Sequence, residues 1–556
     1  MQHLVLEEIK KNIEDIFYSY VKVKSDTNTM LERDIEPFLM DFFSSIDYFK
    51  NHPEHYGTYK IENDALDRSV CWGLVKGNGD DTVVLIHHND VVPIEDFGTL
   101  KPFAYSPSEL EEELMKIKDA LLPDAKADLE SGDFIFGRGA ADMKAGGSIQ
   151  LALLKRYAQF TSLQGNILLI SVPDEENLSA GMMSAVSLLK GLKEKYSLNY
   201  LMMINSEPHE RMNKDIGVLS EGSVGKMLPF FYVKGFLTHV GKIFQGINPV
   251  SILSEIVNKT ELNLELSDFI GDEASPPPTW LYFKERKFQY DVSLPPSAAG
   301  CLSILTLNRE PASMLESLRE ISLQAFSELI ESMNAKYKIF REKMNKPFEP
   351  LPWQAKVVTF KELYDEAYEA YGDTFKQRYY EVLIDIENKI QAGELSMIES
   401  NFYLVEAVYE YINDLSPRVV IGLAPPYYPN VANMYLDNIS EKAKNLSKEI
   451  MDYTLNNFNQ QYSREYFFTG ISDLSYTSVK NSKVIHQTLE GSMPLFGTLY
   501  NIPIEDIEAM SMPCINIGPW GKEYHKLTER VYKEDLFHRT PEILHYAISR
   551  LLEWDK

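Results

Sequence analysis

The chain has 556 residues, more than one hydrophobic core usually serves, so at least two domains are expected. Its 44% hydrophobic and 12% aromatic content excludes a disordered polymer. A formal net charge of −27 argues against nucleic acid and anionic membrane as partners.

Residues 1–50 carry apolar positions at helical spacing. From there the chain alternates. "TVVLIHHNDVV" (82–92) is a buried-strand pattern that breaks into polar residues, and "IQLALLKRYAQF" (149–160) is helical. "NILLISV" (166–172) predicts a strand, "AGMMSAVSLLKGLKEKY" (180–196) a helix and "NYLMMINSEP" (199–208) another strand. Strand–helix–strand alternation predicts an α/β domain with a mostly parallel sheet, whose sites form at the carboxyl ends of strands. After about residue 215 the pattern changes. "GKMLPFFYVKG" (225–235) reads as an antiparallel strand, "EASPPPTWLYF" (273–283) as a loop, and "SILTLNRE" (303–310) and "VVIGLAPPYYP" (419–429) as strands. Residues 311–415 read as mostly helical and Tyr-rich. The α/β character returns with "YFFTGISDLSY" (466–476), "MPCINIGPWG" (512–521) and a helix over 540–554. The expected organisation is a catalytic domain in two parts, 1–215 and 426–556, interrupted by a lid domain at 216–425. Cys71, Cys301 and Cys514 are too dispersed for a disulfide framework or a thiolate zinc motif, which predicts a cytoplasmic setting. The charged opening "MQHLVLEEIKKNIEDIF" is unlike a secretory signal, and no run reaches the roughly 18 apolar residues of a membrane span.

Chemistry-bearing residues gather where strands end. "HHND" (87–90) offers His88 and Asp90, "GRGAADMKAGG" (137–147) offers Asp142, and "PDEEN" (173–177) offers Glu175 and Glu176. "INSEP" (204–208) adds Glu207, and "GPWGKEYH" (518–525) adds His525. Two histidines with several carboxylates and no thiolate suit Zn²⁺, Mn²⁺ or Co²⁺, and two ions sharing a bridging carboxylate would account for the number of acids. Each motif alone has an ordinary reading: a core histidine, a solvated acidic face, a turn. Their order, each at the end of an apolar strand, carries the argument. Three consecutive acids, Asp174, Glu175 and Glu176, leaving a buried strand call for a cation nearby.

"HHNDVVP", "GRGAADMKAG", "VPDEENLSAG" and "NSEP" resemble the successive metal-site motifs of the M20 metallopeptidases. "GFLTHVGKIFQGINPV" (235–250) resembles the lid segment that carries that family's active-site histidine. "TGISD" (469–473) and "NIGPWGKEYHKLTERV" (516–531) resemble its C-terminal motifs. Within the family, the "VPDEEN-SAGM" segment and the enlarged lid are most similar to the arginine utilization RocB group. The resemblance implies a zinc-peptidase-like α/β catalytic domain with an inserted α+β lid. It implies two divalent ions, zinc first with manganese or cobalt as alternatives. His88 and Glu207 would hold one ion, Glu176 and His525 the other, and Asp142 would bridge. Glu175 would be the general base, Asp90 would orient the His88 ring, and lid His239 would stabilise the oxyanion. Arg309 and Asn248 would contact the substrate. The resemblance also implies a cis peptide after Asp142. In dimeric relatives the lid histidine serves the partner's site, so a homodimer is the preferred expectation.

Two departures set the chain apart. "SPSELEEELMKIKDALLPDAKADLE" (106–130) inserts what reads as an acidic helix between His88 and Asp142, and the lid is enlarged. The leading functional expectation is hydrolysis of an amide in a small peptide or N-acyl amino acid, with a link to arginine catabolism. The alternative is a non-catalytic metal-binding or assembly protein on the same fold. That alternative predicts loss of the base or of a ligand, and neither position is lost.

Overall fold

The computed structural model describes residues 6–160, 162–211 and 214–554. Met1–Ser223, Val431–Lys480 and Glu505–Lys556 form one compact unit, and Val224–Asn430 with Asn481–Ile504 form a second.

The first unit is built on an eight-stranded sheet in the spatial order Tyr56–Lys60, Ser69–Lys76, Gln164–Val172, Asn78–His88, Asn199–Asn205, Cys514–Asn516, Ile216–Ser220, Gln461–Glu465. The four central strands, Gln164–Val172 through Cys514–Asn516, run parallel, while antiparallel pairings join them to the flanking strands. Val83–Ile86, Ile167–Ile170 and Met202–Ile204 are fully buried, so side chains on both faces are covered, as parallel sheets require. Val83, Leu85, Ile167, Leu169, Met202 and Ile204 share one apolar cluster with residues of helices Leu6–Lys22, Lys144–Tyr157 and Thr540–Leu551. Helix Ala180–Tyr196 packs against strands Ser69–Lys76 and Gln164–Val172.

Register sets the site. His88 pairs with Val172, Ile86 with Asn205, and Asn205 with Asn516, so four parallel strands end close to one level. Two glycines let the loops beyond them close together. A Cβ on Gly146 would lie 2.1 Å from the Ser206 carbonyl oxygen, and one on Gly518 would lie 2.0 Å from that of Glu207.

The second unit has a five-stranded sheet in the order Thr279–Glu285, Ser297–Thr306, Gly225–Lys234, Arg418–Tyr428, Val357–Thr359. Only its last pairing is parallel. Helices Pro249–Thr260 and the 33-residue Pro311–Lys343 accompany it, and Phe360–Tyr371, Asp373–Gln391 and Met397–Tyr409 form the Tyr-rich helical addition.

Several expectations are corrected. "TWLYF" is not loop but most of the edge strand Thr279–Glu285, whose side chains alternate in burial and so lack a continuous apolar run. Residues 106–130 form two helices, Pro107–Lys116 and Pro123–Ser131, because Pro123 starts a second helix at its first turn. The return of α/β character begins earlier than 466–476, with strand Gln461–Glu465. Residues 1–50 hold helices Leu6–Lys22, Ile35–Ser45 and Asp47–Asn51, with residues 1–5 outside the described range. The unit boundaries fall at 223/224 and 430/431, compared with 215/216 and 425/426 read from sequence. Strand Ile216–Ser220 belongs to the main sheet because Ser220 pairs with Asn516 of Cys514–Asn516, and it carries Gln461–Glu465 as the edge strand. Asn481–Ile504 joins the second unit, where the Tyr500 hydroxyl bonds the Tyr427 backbone and Asn481 donates to Glu310.

Candidate active site

These strand ends and the turn before helix Lys144–Tyr157 bring together the residues singled out from the sequence as metal ligands and base. His88 Nε2 lies 3.0 Å from Asp142 Oδ1 and 3.4 Å from Glu207 Oε1. His525 Nε2 lies 3.3 Å from Asp142 Oδ2 and 3.2 Å from Glu176 Oε1. Each oxygen of Asp142 therefore faces a different imidazole, and each of these Nε2 atoms has one further carboxylate, Glu207 at His88 and Glu176 at His525. His88, Asp142 and Glu176 can place ligand atoms within 4.8 Å of one another, a group able to hold a metal ion. The peptide between Asp142 and Met143 is cis. His525 has φ +63°, a left-handed conformation that persists in a non-glycine residue only where surroundings enforce it.

Supporting contacts hold these groups in place. His88 Nδ1 donates to the Asp90 backbone carbonyl at 3.0 Å, while the Asp90 carboxylate stands 3.6 Å away. That carboxylate accepts the amides of Glu175 and Glu176 at 3.1 and 3.2 Å. Asp90 thus fixes His88 and both glutamates, a wider job than orienting one ring. Glu529 accepts the amides of Ala141 and Asp142 and is itself held by buried Arg138 at 2.6 Å. Asp174 has its own cation: Arg68, only 6% exposed, pairs with it at 2.6 Å and with Glu32 at 2.9 Å. Among the described residues, the last two of the three consecutive acids have no arginine or lysine partner within ion-pair distance.

Sequence reasoning assigned no role to Arg68, Arg138 or Glu529, because nothing local marks an ion pair across such separations. Asp473, inside the quoted "TGISD", was also left without a role. It is 1% exposed, its Oδ1 has no hydrogen-bond partner, and Asn205 at a strand end holds the adjacent Ser472.

The electrostatics show an excess of negative charge. Burial, with Glu176 and Glu207 adding and His88 opposing, pushes the Glu175 carboxyl well above its usual pKa. Glu175 Oε1 is buried without a hydrogen-bond partner. Burial and Asp142 likewise raise Glu176, and burial raises Glu207 to about 7. Burial opposes charge on His88, yet Glu207, Asp142 and Asp90 outweigh it and hold the imidazolium well above its ordinary range. Asp142 and Glu176 raise His525 to about 10. Burial opposes ionisation of Asp142, but hydrogen bonds with both histidines keep it far below the usual carboxylate value. Hard and borderline donors in this number, crowded until the three glutamates resist ionisation, fit divalent cations.

The remaining predicted residues lie in the second unit. His239 begins the turn Val240–Gln245, and its Nδ1 accepts the Gly241 amide at 3.0 Å. Nδ1 is thereby the acceptor, which leaves Nε2 to carry the proton of the neutral ring. Asn248 caps helix Pro249–Thr260 by accepting the Val250 amide at 3.0 Å. Arg309 pairs with Asp268 at 3.2 Å and bonds the Glu265 carbonyl. Its guanidinium is thus engaged within its own unit.

The fold and the donor set are those of a metallopeptidase, and the chain belongs to peptidase family M20/M25/M40, which matches residues 118–549. Its relatives include two Bacillus subtilis (strain 168) proteins. YqjN is 32% identical over 549 residues, covering 98% of this chain and 97% of that one. RocB is 29% identical over 552 residues, covering 98% and 95%. The likeness to the RocB group read from the motifs therefore extends over nearly the whole chain. Among solved structures, aminopeptidase PepT from Bacillus cereus ATCC 10987 shares the fold with a TM-score of 0.52, 11% identity and 98% of each chain covered. Human carnosine dipeptidase 1 shares it with a TM-score of 0.51, 11% identity and 99% of each covered. No helix among the described residues is long and apolar enough to cross a membrane.

Proposed function

We propose that this chain hydrolyses the amide bond of a small peptide or N-acyl amino acid with two divalent ions, zinc first. The observation that carries this reading is the Asp142 carboxylate, with one oxygen on His88 and the other on His525. His88 and Glu207 would hold one ion, Glu176 and His525 the other, with Asp142 shared. Bound ions supply positive charge that polarises a scissile carbonyl and makes water acidic enough to attack near neutral pH.

The protein's own groups do the rest. Glu175 takes a proton from the attacking water. Its buried, unpartnered Oε1 and raised pKa suit a base that must receive a proton and hand it to the leaving amine. Asp90 fixes the Glu175 backbone, so the base and the neighbouring ligand Glu176 are set by one carboxylate. His239 would donate from Nε2 to the developing oxyanion, the tautomer favoured by the Gly241 amide on Nδ1. Arg309 and Asn248 are proposed to meet the substrate. Arg309 would have to exchange Asp268 for the substrate carboxylate, and Asn248 would use its amide nitrogen while its oxygen caps the helix. A cytoplasmic enzyme working as a homodimer, with His239 serving the partner's site, completes the proposal. The likeness to RocB supports including arginine and ornithine derivatives among the substrates.

The test is metal analysis of the purified chain, followed by a screen of N-acyl amino acids and dipeptides that includes those derivatives. About two ions per chain and a metal-dependent release of amine are expected. A chain that takes up no divalent ion, or hydrolyses nothing when loaded, would remove the reading.

A further inference from the structure

The enlarged lid contains a feature that bears on His239. The segment around it is a closed loop, pinched at its base where Phe236 and Ile247 exchange backbone hydrogen bonds of 3.0 and 3.1 Å. One side is braced by backbone: Val240 donates to Val292 and Leu294 donates to Thr238, both at 3.0 Å. The other side is braced by aromatic rings from the end of helix Pro311–Lys343 and the chain that follows it. Phe236, three residues before His239, packs on Trp353 with centroids 5.0 Å apart. Phe244, five residues after it, packs on Tyr337 at 4.6 Å and on Phe340 at 5.4 Å.

Those rings are themselves fixed. Tyr337 and Phe340 ride on the far end of helix Pro311–Lys343. The returning chain is tied to that helix: Arg341 donates to the Pro347 carbonyl at 2.7 Å, and Asn334 accepts the Leu351 amide at 2.8 Å. The helix end and its return therefore form a rigid bracket that grips the His239 loop at both flanks. The loop needs such a bracket, because Leu237, Val240 and Ile243 within it are 57%, 49% and 41% exposed and contribute little packing of their own.

We propose that Trp353, Tyr337 and Phe340 are positioning residues that hold the His239 imidazole in its working orientation. The end of helix Pro311–Lys343 and its return would thus serve catalysis by ordering the loop. The inference rests on the role given to His239 above. Misplacing a group by about 1 Å can cost about 10²-fold in rate.

The experiment is a double-mutant cycle on the best substrate from the screen, with His239→Ala, Trp353→Ala and the pair. Trp353→Ala is expected to lower kcat roughly 10- to 100-fold with KM little changed, and Trp353→Phe to restore most of it. In the His239→Ala background, Trp353→Ala should cost nothing further. Limited trypsin digestion followed by mass spectrometry supplies a readout independent of turnover: cleavage after exposed Lys242, inside the loop, should accelerate in Trp353→Ala. A Trp353→Ala effect that persists undiminished without His239 overturns the positioning role while leaving the His239 reading intact. Unchanged turnover in His239→Ala overturns that reading and this inference together. Unchanged Lys242 cleavage in Trp353→Ala shows that the ring does not order the loop.

Discussion

Two regions of the molecule handle buried charge in opposite ways. In the lid unit, Arg418 is fully buried at the start of its strand, with Glu366 at 2.8 Å and Asp414 at 2.6 Å. Lys356 adds a second cation to Asp414 at 2.8 Å. Hydrogen bonds from Lys356 and Ser416 hold the Asp414 carboxyl far below the usual range. At the strand ends of the other unit three glutamates are shifted the other way. Burial raises Glu175, Glu176 and Glu207, neighbouring carboxylates add to the shift, and the imidazoles oppose it only in part. A cluster in which arginine and lysine balance the acids is complete as folded. A cluster whose glutamates resist ionisation is built for a cation the chain does not itself supply.

Neutralising the shared carboxylate should break this contrast most severely. Asp142→Asn removes the group that both imidazoles face, so metal content should fall from about two ions to one or none and turnover below detection. Elemental analysis and the amide assay check both. Glu175→Gln should come next, with turnover down about 10²- to 10⁴-fold while both ions stay, because Gln keeps the shape but cannot take a proton. Glu176→Gln should instead weaken metal uptake. Equal metal loss in the two glutamine variants would show that the adjacent acids do not divide the work as proposed.

Arg418→Met tests the other region. Leaving acids behind after removing a buried partner costs about 3–5 kcal/mol. The lower end is expected, because Glu366 and Asp414 keep 39% and 41% of their side chains exposed and can turn to water. Denaturant unfolding should show that loss in the lid unit, while metal content stays at the wild-type value. Coupled loss of metal would mean that the two clusters are not independent.

The contrast also explains what was readable in the sequence. His88, Asp142, Glu175, Glu176, Glu207 and His525 each follow an apolar run or a glycine-rich turn, and parallel sheets put such positions at one edge. What was missed is non-local. Arg68 meets Asp174 across 106 residues, and Arg138 meets Glu529 across 391, and neither pair leaves a periodic or spaced signal. The edge strand Thr279–Glu285 was hidden for a different reason. "SPPP" just before it reads as a loop, and a strand half exposed at a sheet edge shows no buried run. The helix pair at 107–131 was merged because its charged residues continue through the break and only Pro123 marks it.

The smallest expected effect concerns two buried histidines beside the site that do not face its centre. Burial, assisted by Arg211, lowers His209 to about 3, and burial lowers His87 to about 4. The His209 ring is satisfied as neutral imidazole: Nδ1 donates to the Gly518 carbonyl at 2.9 Å and Nε2 accepts from Arg211 at 3.0 Å. In the unfolded chain each ring titrates near 6.5, so between about pH 6.5 and the folded value the unfolded state binds more protons. Stability therefore rises with pH across that window and is lost as the pH falls below about 6.5. Each ring contributes at most about 1.4 kcal/mol per pH unit. The carboxylates titrate in the same range, so the informative quantity is a difference between variants. His209→Asn keeps a donor and an acceptor but removes one titrating group, and the slope of unfolding free energy between pH 6 and pH 4 should fall by roughly one proton relative to wild type. Equal slopes in the two proteins would mean that His209 is protonated in the folded state, and that the charge beside the Glu207 strand end is balanced differently from the account given for the site.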